Sequence, residues 1–183
     1  INSLGISGVP FVGADIGGFS GTPTKELFAR WLSIGVFTPF CRSHSEFNSI
    51  SHEPWSFGET VEDIARDYIN QRYQLLPYLY SSFYETHQTG IPVNRSLTID
   101  NTFDEKVYQY DYQYQFLFGP SILVAPVLSK SEYCKLYLPE GGWYKKGTDK
   151  FYQGKQEIIV EAPLSNLPVF IKAGAIIPMQ DII

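Results

Sequence analysis

The chain has 183 residues, and 16% of them are aromatic, with 13 Tyr, 13 Phe and 3 Trp. That load excludes a disordered or merely solvating segment, and the length suffices for one domain, or two small ones, with a core that needs no disulfide or metal staple. Nineteen acids against 14 bases give a formal charge of −5 with no strongly basic stretch, which excludes a nucleic-acid electrostatic footprint.

Residue 1 is Ile rather than Met, so the chain is expected to be a processed product, an expressed segment or a piece of something longer. Residues 8–15 form a short apolar run that ends in Asp15 and then glycines, as a buried parallel strand would. Residues 24–32 read as a helix. Thr24 is placed to cap it, and Leu27, Phe28, Trp31 and Leu32 share a face. Residues 35–40 form a second apolar run, read as a strand ending near Arg42 and His44, and a polar loop follows to about Gly58. Residues 59–88 then read as one long helix, which Pro77 should kink or interrupt and Gly90 should end.

The second half changes character. A short helix is predicted over 107–118, and strands over 121–125, 133–138, 143–144, 158–160 and 169–172. Strands with only turns between them suggest an antiparallel sandwich, and the boundary falls near Asn94. The longest apolar stretch, residues 116–128, is broken by Gly119, Pro120 and Pro126. It is too short for a bilayer, which takes about 20 residues. No signal peptide opens the chain. Cys41 and Cys134 lack metal-ligand spacing and read as free thiols, with a disulfide as the lesser alternative.

Ligands of parallel βα architectures sit at the carboxyl ends of the strands. Asp15 ends the first run, and Arg42 and His44 end the second. An acid, a guanidinium and an imidazole converging there suit a hydroxyl-rich ligand, since a carboxylate accepts from hydroxyls while Arg and His donate to them. Phe19, Phe40 and Trp55 could supply platforms under sugar rings. The same residues also read as a buried structural ion pair, Asp15 with Arg42, and a loop cap, His44. The glycines after Asp15 match neither the dinucleotide-binding nor the P-loop pattern, which argues against a nucleotide. His44 and His52 do not have a zinc spacing. Glu46 and Glu53 read as solvent-facing loop acids. The alternating tyrosines Tyr108, Tyr110, Tyr112 and Tyr114 read as a packing edge.

An ordered series of motifs resembles the α-glucosidase family of retaining glycoside hydrolases, family 31. It runs through Gly8-Val-Pro-Phe-Val-Gly-Ala-Asp-Ile-Gly-Gly-Phe19, Glu26-Leu27 with Arg30-Trp31, Gly35-Val-Phe-Thr-Pro-Phe40 with Arg42 and His44, and Glu53-Pro54-Trp55. It continues through Arg72-Tyr73, Leu75-Leu76-Pro77-Tyr78-Leu79-Tyr80, Gln115-Phe116-Leu117-Phe118-Gly119, Leu123-Val124-Ala125-Pro126-Val127, Tyr137-Leu138-Pro139, Trp143-Tyr144 and Gly174-Ala175-Ile176-Ile177-Pro178. The resemblance implies an α/β plus all-β fold: residues 1–94 as the last two βα units of a (β/α)₈ TIM barrel, and residues 95–183 as the proximal C-terminal antiparallel β-sandwich domain. It implies that Asp15 and His44 bind hydroxyls of the sugar in the −1 subsite, that Arg42 supports the acidic site, and that Phe19 lines its entrance.

The family's nucleophile lies in a Trp-x-Asp-Met-Asn-Glu-like segment and its acid/base in a Gly-Asp-Asn-like one, and this sequence contains neither. A retaining mechanism needs two carboxylates about 5–5.5 Å apart. The chain is therefore expected to be the C-terminal part of a retaining α-glycosidase acting on terminal α-linked glucose without a cofactor or metal. It would contribute substrate-binding residues but no catalytic one, and be inactive alone. The expected partners are an oligosaccharide or glycan substrate and the remainder of the catalytic barrel, and neither nucleic acid nor membrane. The alternatives are a fragment of an α-xylosidase or α-glucosyltransferase of the same family, or a stand-alone carbohydrate-binding or structural module. Arg95-Ser96-Leu97 departs from the family's usual Arg-Pro-Leu and bears on the domain junction.

Overall fold

The structure is a computed structural model and describes residues 1–182. A short helix α1 (Asn2–Ile6) opens the chain. The Asn2 side chain donates to Gln113 O (3.0 Å) and accepts from the Asn94 amide (2.7 Å), which ties the first turn to the β region. Helix α2 (Lys25–Gly35) starts where expected, with Thr24 Oγ1 accepting from the Leu27 N–H at 3.1 Å. Its buried face carries Phe28, Ala29 and Leu32, while Leu27 turns outward and is 45% exposed.

The two apolar runs expected as parallel strands do not form strands. They meet at a single parallel bridge, Asp15 with Arg42, flanked by Phe40 N–H to Val12 O and Ile16 N–H to Arg42 O, both 2.9 Å. The reason is local. Gly13 lets the Phe40 carbonyl approach so closely that a β-carbon there would lie 1.9 Å from its oxygen. Gly17 and Gly18, at φ +87° and +94°, turn the chain away just past Asp15. The ladder is therefore cut off at both ends. Val36 and Phe37 are buried, yet they lie on turns that follow α2.

A 3₁₀ turn (Pro54–Phe57) leads into α3 (Glu59–Gln74). The long helix expected over 59–88 breaks at Leu75, and α4 (Leu76–Thr89) restarts with Pro77 in its first turn, where a missing N–H costs nothing. Gly90, in the left-handed conformation, ends it.

The second half contains β1 (Asn94–Ser96), α5 (Leu97–Asp100), β2 (Phe116–Phe118), β3 (Ile122–Val124), β4 (Tyr133–Leu138), β5 (Gly142–Lys145), β6 (Phe151–Gln153), β7 (Gln156–Glu161) and β8 (Val169–Lys172). Six strands form one antiparallel sheet in the order β1-β2-β3-β8-β5-β6, and β4 pairs with β7 in a second. The helix expected over 107–118 is absent. Two 3₁₀ turns (Glu105–Tyr108 and Tyr110–Tyr112) and strand β2 occupy those residues. Gln115 enforces the change: its buried amide donates to Tyr137 O and accepts from Tyr137 N–H, both 2.9 Å, pinning the segment beside β4.

The centre of the large sheet, at β2 and β3, is buried on both faces. Phe116, Phe118, Ile122, Val124 and Val169 pack with Phe37, Leu75 and Tyr78 in one core. Leu117, Leu123 and Phe170 pack with Leu136, Leu138 and Trp143 in the other. The order is thus helices, six-stranded sheet, two-stranded sheet. This explains why β2 and β3 are apolar at every position although their sheet is antiparallel. Each such side chain stabilises the fold by about 1.5–3 kcal/mol. Cys134 lies in the second core and Cys41 against the first, and both thiols are free. Among the described residues no helix is long and apolar enough to cross a membrane.

Candidate functional site

The short pairing between residues 12–16 and 40–42 brings Asp15 and Arg42 side by side. Arg42 donates to Asp15 Oδ1 from Nε (2.8 Å), and its Nη2 makes an ion-pair contact with the same oxygen (2.6 Å). Both contacts fall on one oxygen, so Oδ2 is left without a hydrogen bond among the described residues. The Asp15 side chain is 18% exposed and that of Arg42 48%, so the pair is reachable from solvent rather than sealed in the core. A pair this open adds little to stability, on the order of 0–1 kcal/mol. That weighs against the purely structural interpretation.

The Arg42 guanidinium lies over the Phe40 ring, 5.1 Å from its centroid. Phe40, which the sequence suggested as a sugar platform, therefore has a face given to Arg42, and Phe11 packs against it as well (5.5 Å). Phe19 is 51% exposed and stands against His44, with centroids 5.6 Å apart. The Phe19 carbonyl accepts from Glu46 N–H at 2.8 Å, which couples the glycine turn to the loop after His44. Asp15 with Arg42 on the bridge, and Phe19 with His44 a few residues beyond it, thus form two contacting pairs. Trp55 is 66% exposed on its 3₁₀ turn and pairs with no other ring among the described residues.

His52 is placed differently from His44. It is buried between Phe28 and Phe57, and neither ring nitrogen has a partner. Its carbonyl accepts from the Ser43 hydroxyl at 2.7 Å, closing the polar loop onto the residue after Arg42. Glu46 is exposed, and Glu53 is held below the usual carboxylate range by its own backbone N–H, aided by the Ser51 and Ser56 hydroxyls. Of the four tyrosines, Tyr112 is buried and Tyr108, Tyr110 and Tyr114 are exposed, on 3₁₀ turns and the residue pair after them. Among the described residues, no group of three or more His, Cys, Asp or Glu side chains could hold a metal ion.

Chemically, the contact with Arg42 occupies one Asp15 oxygen and leaves the other to accept from a ligand hydroxyl. The imidazole of His44 adds a second polar group, and the ring of Phe19 adds an apolar face. One carboxylate already paired to a guanidinium does not by itself cleave a glycosidic bond. Sequence reasoning missed Phe40 as the support of Arg42. An aromatic two residues before an Arg at a strand end is a weak signal, because alternation places the two on the same face only where the backbone stays extended.

Sequence profiles of two domains match this chain. The glycosyl hydrolases family 31 TIM-barrel domain matches residues 1–82, and the glycosyl hydrolase family 31 C-terminal domain matches residues 90–177. Alpha-glucosidase 2 of Bacillus thermoamyloliquefaciens is 42% identical over 182 residues, covering 98% of this chain and 23% of that protein. Neutral alpha-glucosidase AB of Sus scrofa is 39% identical, covering 96% and 19%. A family 31 dextranase of Flavobacterium johnsoniae, solved with glucose, superposes with a TM-score of 0.94 at 40% identity, over 100% of this chain and 23% of that one. A family 31 alpha-xylosidase from a soil metagenome, solved with xylose, does so at 0.89 and 33%, over 96% and 29%. The chain spans between 19% and 29% of the length of these relatives.

Proposed function

Since the chain belongs to glycosyl hydrolase family 31, we propose that it forms one wall of the sugar site of a retaining α-glycosidase acting on terminal α-linked glucose. Residues 1–94 are the closing part of the catalytic barrel, and residues 95–183 are the β-domain that backs it. The onset of the sheet at Asn94 supports that division. So do the limits of the two profile matches.

In the double displacement, one carboxylate attacks the anomeric carbon while another protonates the leaving oxygen. This chain holds neither. Its part is to hold the sugar in place while both act. Asp15 Oδ2 accepts a hydrogen bond from a ring hydroxyl, Arg42 orients that carboxylate through Oδ1, His44 holds a second hydroxyl, and Phe19 covers the ring at the entrance. Holding the ring in attack geometry is where such residues lower the barrier.

The observation that carries this reading is the division of Asp15 into one oxygen paired to Arg42 and one left free. In the full-length enzyme, Asp15→Ala and His44→Ala should each lower kcat/KM on an aryl α-glucoside by at least roughly tenfold, or about 1.4 kcal/mol. Unchanged kinetics would remove these residues from the site. A second reading, an α-xylosidase, is supported by the likeness to the xylose-bound alpha-xylosidase. A kcat/KM for an aryl α-xyloside above that for the α-glucoside would select it.

A further inference from the structure

The site loop is held from behind by a residue that touches none of the site side chains. Arg72, in the last turn of α3, donates through Nη1 to Val36 O (2.9 Å) and to Thr38 O, and through Nη2 to Pro39 O (2.8 Å). Among the described residues no carboxylate pairs with it. Its charge is spent wholly on carbonyl dipoles. Val36 is the C-cap of α2, so one of these acceptors belongs to a helix end whose carbonyls need outside donors. A cation there also meets the negative end of the α2 dipole. The other two acceptors sit on the turn that descends from α2. One residue later, Phe40 N–H engages Val12 O, and the Arg42 carbonyl then receives Ile16 N–H. The Asp15–Arg42 contact therefore depends on a register set by three carbonyls gathered on one guanidinium.

We propose that Arg72 is a positioning residue for the sugar site: its forked guanidinium fixes the path of residues 36–42, and thereby places Arg42 on Oδ1 of Asp15 and leaves Oδ2 free for a hydroxyl. The functional part of this statement rests on the sugar-site reading above, while its structural part does not. Lysine cannot replace it, because an ammonium is a point donor without the planar fork that reaches acceptors on both sides.

The test uses Arg72→Lys and Arg72→Gln in the full-length protein, with two readouts. Native-state hydrogen exchange should quicken by roughly tenfold or more at the Phe40 and Ile16 amides, with the interior amides of α4 unchanged. Unchanged exchange at those two amides overturns the proposal, and so does failure of both variants to fold. On an aryl α-glucoside, Arg72→Lys should lower kcat/KM by roughly tenfold. Arg72→Lys combined with Arg42→Lys should lose no more than the worse single variant, since both act through one contact. Fully additive losses overturn the route through Arg42. If exchange quickens while Arg42→Lys and Asp15→Asn have wild-type kinetics, the clamp stands and the sugar-site reading fails.

Discussion

Asp15 illustrates how much chemistry turns on one oxygen. Its Oδ1 takes both Arg42 contacts, so the two halves of the carboxylate are not equivalent. Asp15→Asn should keep the fold and still lose activity, because the amide weakens the hold of Arg42 and can turn a donor towards the ligand. A melting temperature within a degree or two of wild type, with kcat/KM down at least roughly tenfold, is the expected pair of results. Glu157 makes a separate point on β7. The Tyr112 hydroxyl and Lys106 hold its carboxyl down to about 2, from an ordinary 4.5. Because the folded value is depressed, the stabilisation is present above about pH 4.5 and is lost as the pH falls towards 2. A Glu157→Gln variant should therefore show a shallower fall of melting temperature between pH 5 and pH 2 than wild type. Parallel curves would show that the network adds nothing. Asp15, Phe19, Arg42 and His44 are legible as candidates from motif, and Asp15, Arg42 and His44 also from their place at the ends of two apolar runs. Arg72 was legible only as part of a motif, since nothing in its own neighbourhood predicts acceptors more than thirty residues away.

At the scale of elements, helices and sheet are joined by tyrosines. The Tyr78 hydroxyl on α4 donates to Phe118 O (3.0 Å) and accepts from Ser121 N–H (2.9 Å), spanning the turn between β2 and β3. Tyr68 on α3 repeats the arrangement with Ser165 O and Leu167 N–H. Burial pushes the Tyr78 phenol up to about 12, so it stays a donor throughout the physiological range. Tyr78→Phe strands a backbone donor and an acceptor and should cost about 1–3 kcal/mol. The expected result is a lower urea midpoint with an unchanged slope, and an unchanged midpoint would show that water replaces the hydroxyl. Periodicity revealed α2, the broken helix around Pro77 and most strands, because each follows from a local repeat of apolar residues. It failed at residues 8–15 and 35–40, where apolar runs pack as turns. It failed again at 107–118, where Gln115 bonds to β4 across twenty-two residues.

The whole molecule is a helical layer on a sheet that is itself covered by two strands. The first core draws residues from both halves, so the barrel segment and the β-domain share one interior. The ring of Phe37 meets that of Phe118 edge-on at 6.0 Å across the division. A retaining hydrolysis needs a nucleophile and an acid/base carboxylate at the right spacing, and both are assigned above to the rest of the barrel. The purified 183-residue chain should therefore release no measurable aglycone from an aryl α-glucoside, and turnover would overturn the assignment of chemistry to the rest of the barrel. Saturable heat on titration with maltose or isomaltose would instead favour a stand-alone binding module.

By itself the sequence determined the family and the change from a helical first half to a strand-rich second half. These are carried by ordered motifs and local periodicity, which survive without coordinates. Only the tertiary structure decided which Asp15 oxygen stays free, that Phe40 supports Arg42, that Arg72 gathers the carbonyls behind them, and that β2 and β3 are buried on both faces. Hydrogen bonds are directional, and their partners here lie tens of residues apart, so they exist only once the backbone register has been set.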